Sequence, residues 1–226
     1  MHDVFERLKK SKKRYFRREQ NQVLRDMITA ITVCHNVTPV DDENGRIYQA
    51  SSPDEVALVK LAESLGFRLE TRDQRSMKVM NIAGQEENYE ILENFPFTSE
   101  SKRMGILVRH RESGNLLFYL KGADSALKPK VPEIQRGFLM DECENLAREG
   151  LRTLVISQKA ITANEYERWK ELYNKASSSL DDRANKMYKV LELLEKDMEF
   201  LGITGVEDKL QEDVRVSIES LRNAGI

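Results

Sequence analysis

An α/β fold with a mainly antiparallel sheet flanked by helices is predicted by three features of this 226-residue sequence. Short β-rich runs follow one another through the middle of the chain, hairpin turns join them, and segments of helical periodicity stand on either side. The composition fits a soluble globular chain, with 40% hydrophobic and 33% charged residues and enough length for a buried core. The 36 basic and 38 acidic residues nearly cancel, with pI about 6.1. That balance argues against nucleic acid as a partner, because such domains usually have pI above ~9. The longest apolar stretch, 27–34, is far short of the ~20 residues that span a bilayer. The first residues are charged and offer no signal-peptide core. Two cysteines, Cys34 and Cys143, exclude a disulfide framework and fit a reducing compartment. His2, His35 and His110 are scattered, which argues against a protein-built zinc site, and no metal ligand is assigned.

Taken in order, residues 7–18 carry eight basic side chains. They read as a solvated tail, with contact to an anionic membrane surface as the functional alternative. Val23, Leu24, Met27, Ile28 and Ile31 recur at helical spacing. Pro39, Asp41, Asp42, Asn44 and Gly45 read as a loop. Ser52-Pro53-Asp54-Glu55 predicts a helix start, with Ser52 as N-cap and Glu55 closing a capping box. That helix runs to Leu65 and stops at Gly66. Strands are predicted over 67–71, 76–82 and 89–97, and a hairpin over 104–110 and 116–121 around Glu112-Ser113-Gly114-Asn115. A helix over 133–148, a buried strand over 151–159, and a helical hairpin over 162–175 and 182–198 follow. A strand over 199–207 and a helix over 210–223 read as the opening of a different, βαβ-like unit.

No phosphate loop, dinucleotide fingerprint or nucleophile elbow occurs. Four segments stand out instead: Ser51-Ser52-Pro53-Asp54-Glu55, Phe95-Pro96-Phe97-Thr98-Ser99-Glu100-Ser101-Lys102-Arg103-Met104, Leu120-Lys121-Gly122-Ala123-Asp124, and Glu149-Gly150-Leu151-Arg152-Thr153-Leu154. Their order and spacing resemble the nucleotide-binding domain of P-type ATPases. The Ser-Pro-Asp-Glu and Lys-Gly-Ala-Asp forms are similar to the type IV branch, the phospholipid flippases. Cys34-His35-Asn36-Val37-Thr38-Pro39 resembles that branch's endosomal and Golgi subgroup. Thr204-Gly205-Val206-Glu207-Asp208-Lys209 is similar to the re-entry into the family's haloacid-dehalogenase-like phosphorylation domain.

The charge run sets off a basic arm over 1–20, and the resemblance implies a nucleotide-binding domain over 21–198 and an incomplete start of the phosphorylation domain's second half over 199–226. It implies ATP as the ligand, with Phe97 stacking on adenine, Lys121 at the base or phosphates, Arg152 and Lys102 on phosphates, and Glu55 at the base or ribose. It assigns no catalytic residue here, because the Asp-Lys-Thr-Gly-Thr nucleophile string does not occur. Mg²⁺ and phospholipid belong to the complete enzyme, an integral membrane protein of Golgi or endosome. This domain is expected on the cytosolic face, soluble and inactive when alone. The competing reading is a non-catalytic interaction module that uses a degraded nucleotide fold. In the second segment the family more often has Ser where Gly105 stands.

Overall fold

The structure, a computed structural model, describes residues 20–43, 45–207 and 213–225. The basic run 7–18, with its membrane-surface reading, lies outside the described residues.

Seven strands form one sheet in chain order: β3 (Arg68–Arg72), β4 (Ser76–Met80), β5 (Glu86–Phe95), β6 (Arg103–His110), β7 (Leu116–Gly122), β8 (Leu151–Ile161) and β9 (Glu199–Glu207). Every neighbouring pair is antiparallel. Strand side chains alternate between faces, so the sheet presents two apolar surfaces that both need cover.

Helices α1 (Gln20–Val33) and α2 (Pro53–Ser64) cover one face. Ile31, Val33, Val59 and Ala62 pack there against Met104, Ile106 and Tyr119. The other face is covered by the short helix α3 (Asp124–Leu127), a 3₁₀ turn (Lys128–Lys130), α4 (Glu133–Arg148), α5 (Ala163–Ser177) and α6 (Arg183–Leu194). Leu139, Trp169 and Leu194 meet Leu107, Phe118 and Leu120 in that core. The middle strands β6 and β7 are buried on both faces, which explains their nearly unbroken apolar sequence. Helix α7 (Val214–Asn223) closes the described chain.

Three elements differ from the expectations. The stretch read as a loop holds a hairpin, β1 (Thr38–Asp42) paired with β2 (Gly45–Gln49). Pro39 survives in it because a two-stranded ribbon leaves edge positions where no N–H is needed. Ser52 makes no capping hydrogen bond at α2, so the predicted capping box does not form there. The box that does form joins Thr162 and Glu165 at the start of α5. Third, the strand read as opening a different unit hydrogen-bonds along β8, from Leu151↔Glu207 to Gln158↔Glu199.

The α5–α6 hairpin docks on the end of β5. The Phe95 ring stands edge-on to Phe118, Trp169 and Tyr173, with centroids 6.0, 6.2 and 6.1 Å away. Trp169 also donates its indole N–H to the Val190 carbonyl at 3.0 Å, tying α5 to α6. This aromatic knot fixes where the chain leaves the sheet after Phe95.

Candidate functional site

The site forms where the start of α2 crosses the ends of β6, β7 and β8. Lys121 sits in the interior strand β7, between Met104 of β6 and Ile156 of β8. Its amine is cut off from water, with the side chain 7% exposed. A buried ammonium needs a partner, and Glu55 supplies it at 2.8 Å from the first turn of α2. The other Glu55 oxygen accepts the Asn36 backbone N–H at 3.1 Å. The magnitudes explain why this arrangement displaces the capping box. A cap is worth about 1 kcal/mol, whereas leaving a buried cation unpaired costs about 3–5 kcal/mol.

Next to this pair lies a buried polar layer built around His35. The His35 ring bonds the Thr32 carbonyl through Nε2 at 2.7 Å. Its Nδ1 meets the Val37 N–H at 3.0 Å and the Arg72 guanidinium at 2.8 Å. Burial, reinforced by the charges of Arg72 and Lys121, holds the imidazole well below its ordinary 6.5. Burial also pushes the Cys34 thiol up to about 11, so it stays protonated at neutral pH. Since the unfolded chain protonates His35 below about 6.5 and the folded chain does not, acid favours unfolding. Stability should be full above pH 6.5 and fall below it by up to about 1.4 kcal/mol per pH unit. Urea midpoints at pH 7 and 5.5 check this, and the slope should be shallower in His35→Gln. Glu93, whose carboxyl is raised by burial, works in the opposite sense in both proteins.

Arg152, at the start of β8, is exposed and bonds Asp54 at 3.0 Å, one residue from Glu55. Three of the five expected residues are therefore gathered at the α2 start, two directly and Arg152 through Asp54. Phe97 and Lys102 lie on one loop beyond β5. Phe97 is 61% exposed, which no core phenylalanine needs to be. The loop is closed by the Lys102 N–H on the Thr98 carbonyl at 2.9 Å and by the Ser101 N–H on the Thr98 hydroxyl at 3.1 Å. Lys102 adopts φ +49°, a left-handed conformation uncommon outside glycine. Its carbonyl accepts the Ala123 N–H at 3.0 Å, which brings the loop against the Lys121-Gly122-Ala123 segment. The Lys102 side chain does not join Glu55 and Lys121. Residue Lys102 lines a cavity of about 670 Å³ together with Arg103, Lys130, Tyr188 and Glu195.

Gly105 has its own reason in this fold. A Cβ there would stand 3.0 Å from the Phe118 ring and 3.2 Å from Leu120, so a serine requires that ring to move. Sequence reading missed Asn36, Asp54 and Gly122 as members of the site, although Asp54 and Gly122 lie inside the four segments that stood out and Asn36 inside the segment 34–39. It also missed Glu195, which no local signal distinguishes from its charged helical neighbours.

The fold is an α/β domain whose antiparallel sheet is covered by helices on both faces, with a buried ion pair at the start of α2. Residues 23–129 match the family model "P-type ATPase, cytoplasmic domain N". The chain is 46% identical over 230 residues to the human "Probable phospholipid-transporting ATPase IIB", covering 93% of this chain and 20% of that relative. It is 48% identical over 212 residues to "Phospholipid-transporting ATPase NEO1" of Saccharomyces cerevisiae, covering 93% and 18%. For "Probable phospholipid-transporting ATPase tat-5" of Caenorhabditis elegans the figures are 46% over 209 residues, 90% and 19%. The chain belongs to the P-type ATPase family and carries its N domain, in the form found in the phospholipid-transporting members. It spans about a fifth of the length of the relatives it matches. Among the described residues no helix is long and apolar enough to cross a membrane. Among the same residues, no group of three or more His, Cys, Asp or Glu is placed to hold a metal ion.

Proposed function

We propose that this chain holds ATP for a phospholipid-translocating P-type ATPase of Golgi or endosomal membranes and presents it, from the cytosolic face, to an aspartate nucleophile outside this chain. The exposed Phe97 ring carries this reading, because a rigid loop holds a large apolar surface in water where a base can cover it. In nucleic-acid complexes such stacking is worth about 1–3 kcal/mol per base.

The other residues take roles that follow from their partners. The Lys121 ammonium has three N–H donors and gives one to Glu55. Its burial favours a role at the base over one at the solvated phosphates. The Glu55 carboxylate, with one oxygen on Lys121 and one on the Asn36 N–H, keeps lone pairs for a base amino group. Arg152 and Lys102, both exposed, serve the phosphates, and Arg152 leaves Asp54 to do so. Mg²⁺ accompanies the nucleotide in the complete enzyme. The family's magnesium-binding string does not occur in this sequence, so affinity should be the same with and without Mg²⁺. Lipid handling and phosphoryl transfer belong to parts outside this chain. Strand β9 serves as the connection into the phosphorylation domain. Relatedness along nine-tenths of the chain, with the motifs in order, supports this reading over a non-catalytic interaction module.

Calorimetric titration tests it. Phe97→Ala should weaken ATP, ADP and AMP alike by about 1–3 kcal/mol. Its thermal midpoint should stay near wild type, because a ring this exposed contributes little to the core. Normal nucleotide affinity in a strongly destabilised Phe97→Ala protein would return the ring to a packing role and remove the reading.

A further inference from the structure

We propose that Glu195 is a positioning residue for Lys102, and that the α5–α6 hairpin acts as a clamp on the loop that carries Phe97 and Lys102. The inference rests on the nucleotide-binding reading above and extends it to a part of the fold that contains none of the five expected site residues.

The hairpin holds both ends of the loop. At the upstream end, Phe95 is wedged among Trp169 and Tyr173 of α5. At the downstream end, Arg103 follows Lys102 directly and turns inward. Its guanidinium makes a two-pronged ion pair with Glu195, Nε to Oε1 at 2.6 Å and Nη2 to Oε2 at 2.9 Å. The guanidinium also lies 5.4 Å from the Tyr188 ring centre on α6 and donates to the Ser101 carbonyl at 3.2 Å. Glu195 caps the C-terminal end of α6, and its side chain is 1% exposed. Its second cation, Lys130, comes from the 3₁₀ turn. One carboxylate therefore joins the loop, α6 and the turn.

Such a cluster is a weak source of net stability, because desolvation offsets much of its attraction. A fork geometry of this kind chiefly fixes position. What it fixes is the residue after a left-handed lysine. With Arg103 anchored, the φ of +49° at Lys102 is over-determined by its neighbours, which sets the direction in which the side chain leaves the loop beside the cavity that Lys102 and Glu195 both line. Releasing Arg103 lets Lys102 relax toward ordinary backbone and swing its amine away. Phe97, held from the Phe95 side, stays in place.

The test uses the 226-residue chain with ATP, ADP and adenosine as titrants. Glu195→Gln keeps the side-chain shape and removes the charge. It should weaken ATP and ADP by about tenfold, the size of one charge-assisted contact to phosphate, and leave adenosine unchanged. Adding Lys102→Ala to it should weaken binding no further, because the two changes remove the same contact. Hydrogen exchange at the Ser101 and Lys102 amides should accelerate in Glu195→Gln. Arg103→Lys, which keeps the charge but not the fork, should fall between and serves if Glu195→Gln does not fold. A lowered thermal midpoint with an unchanged ratio of ATP to adenosine affinity would show a structural role only and overturn the inference. Equal weakening of adenosine would show general loosening and overturn it too. Should wild type and Lys102→Ala bind ATP equally, the assignment of Lys102 to phosphate fails instead, and hydrogen exchange still decides whether Glu195 holds the loop.

Discussion

Lys121→Met should destabilise the folded chain by about 3–5 kcal/mol, the cost of leaving one member of a buried ion pair uncompensated. The Glu55 carboxylate is 12% exposed and would keep only the Asn36 N–H as partner. Urea unfolding reads the loss directly. The paired change Lys121→Met with Glu55→Leu should recover most of it, because apolar side chains of similar volume replace a buried pair at little cost. Both proteins should bind nucleotide poorly, since each lacks the polar groups assigned to the base. A loss below about 1 kcal/mol for the single change would place the pair in the range of exposed salt bridges. The burial argument for Lys121 at the base would then fall.

The second large effect belongs to Gly122→Ala. A Cβ at Gly122 would stand 2.5 Å from the Lys102 carbonyl oxygen and 2.7 and 2.8 Å from Arg103 Cβ and Cα. Backbone, not a flexible side-chain end, occupies the space, so strands β6 and β7 must separate where Arg103 pairs with Gly122. Overpacking of this kind costs about 1–3 kcal/mol and occasionally more. It also displaces Lys102, so ATP affinity should fall with stability. Gly137→Ala is the control, because a Cβ there meets nothing within 4 Å inside helix α4. That change should stabilise by up to about 1 kcal/mol through helix propensity. A Gly122→Ala protein as stable as wild type, with unchanged ATP affinity, would show that the two strands part without cost.

Much of the fold was legible because its signals are local. The hairpin around Gly114 needs only a turn glycine between two β-rich runs, and it forms as expected, with Gly114 at φ +71°. The helical hairpin read over 162–175 and 182–198 likewise rests on local periodicity, and it forms as α5 and α6. The β1–β2 hairpin was not legible, because its turn residues outweighed its few apolar ones. The strand character of 38–49 comes from pairing, not propensity.

The sequence by itself determined the family, the antiparallel sheet with flanking helices, and five residues worth testing: Glu55, Phe97, Lys102, Lys121 and Arg152. Ordered motifs and hydrophobic periodicity are properties of short strings, and they survive without coordinates. Only the tertiary structure decided what those residues do to one another. Glu55 had a complete local explanation as a helix cap, and a buried ammonium 66 positions away overrode it. Arg103 received no role from the sequence, yet Glu195, 92 positions away, comes within 2.6 Å of it. The physical reason is the same in both cases. A charge removed from water must find its partner wherever the fold brings one, and spacing along the chain carries no record of which distant segments will meet.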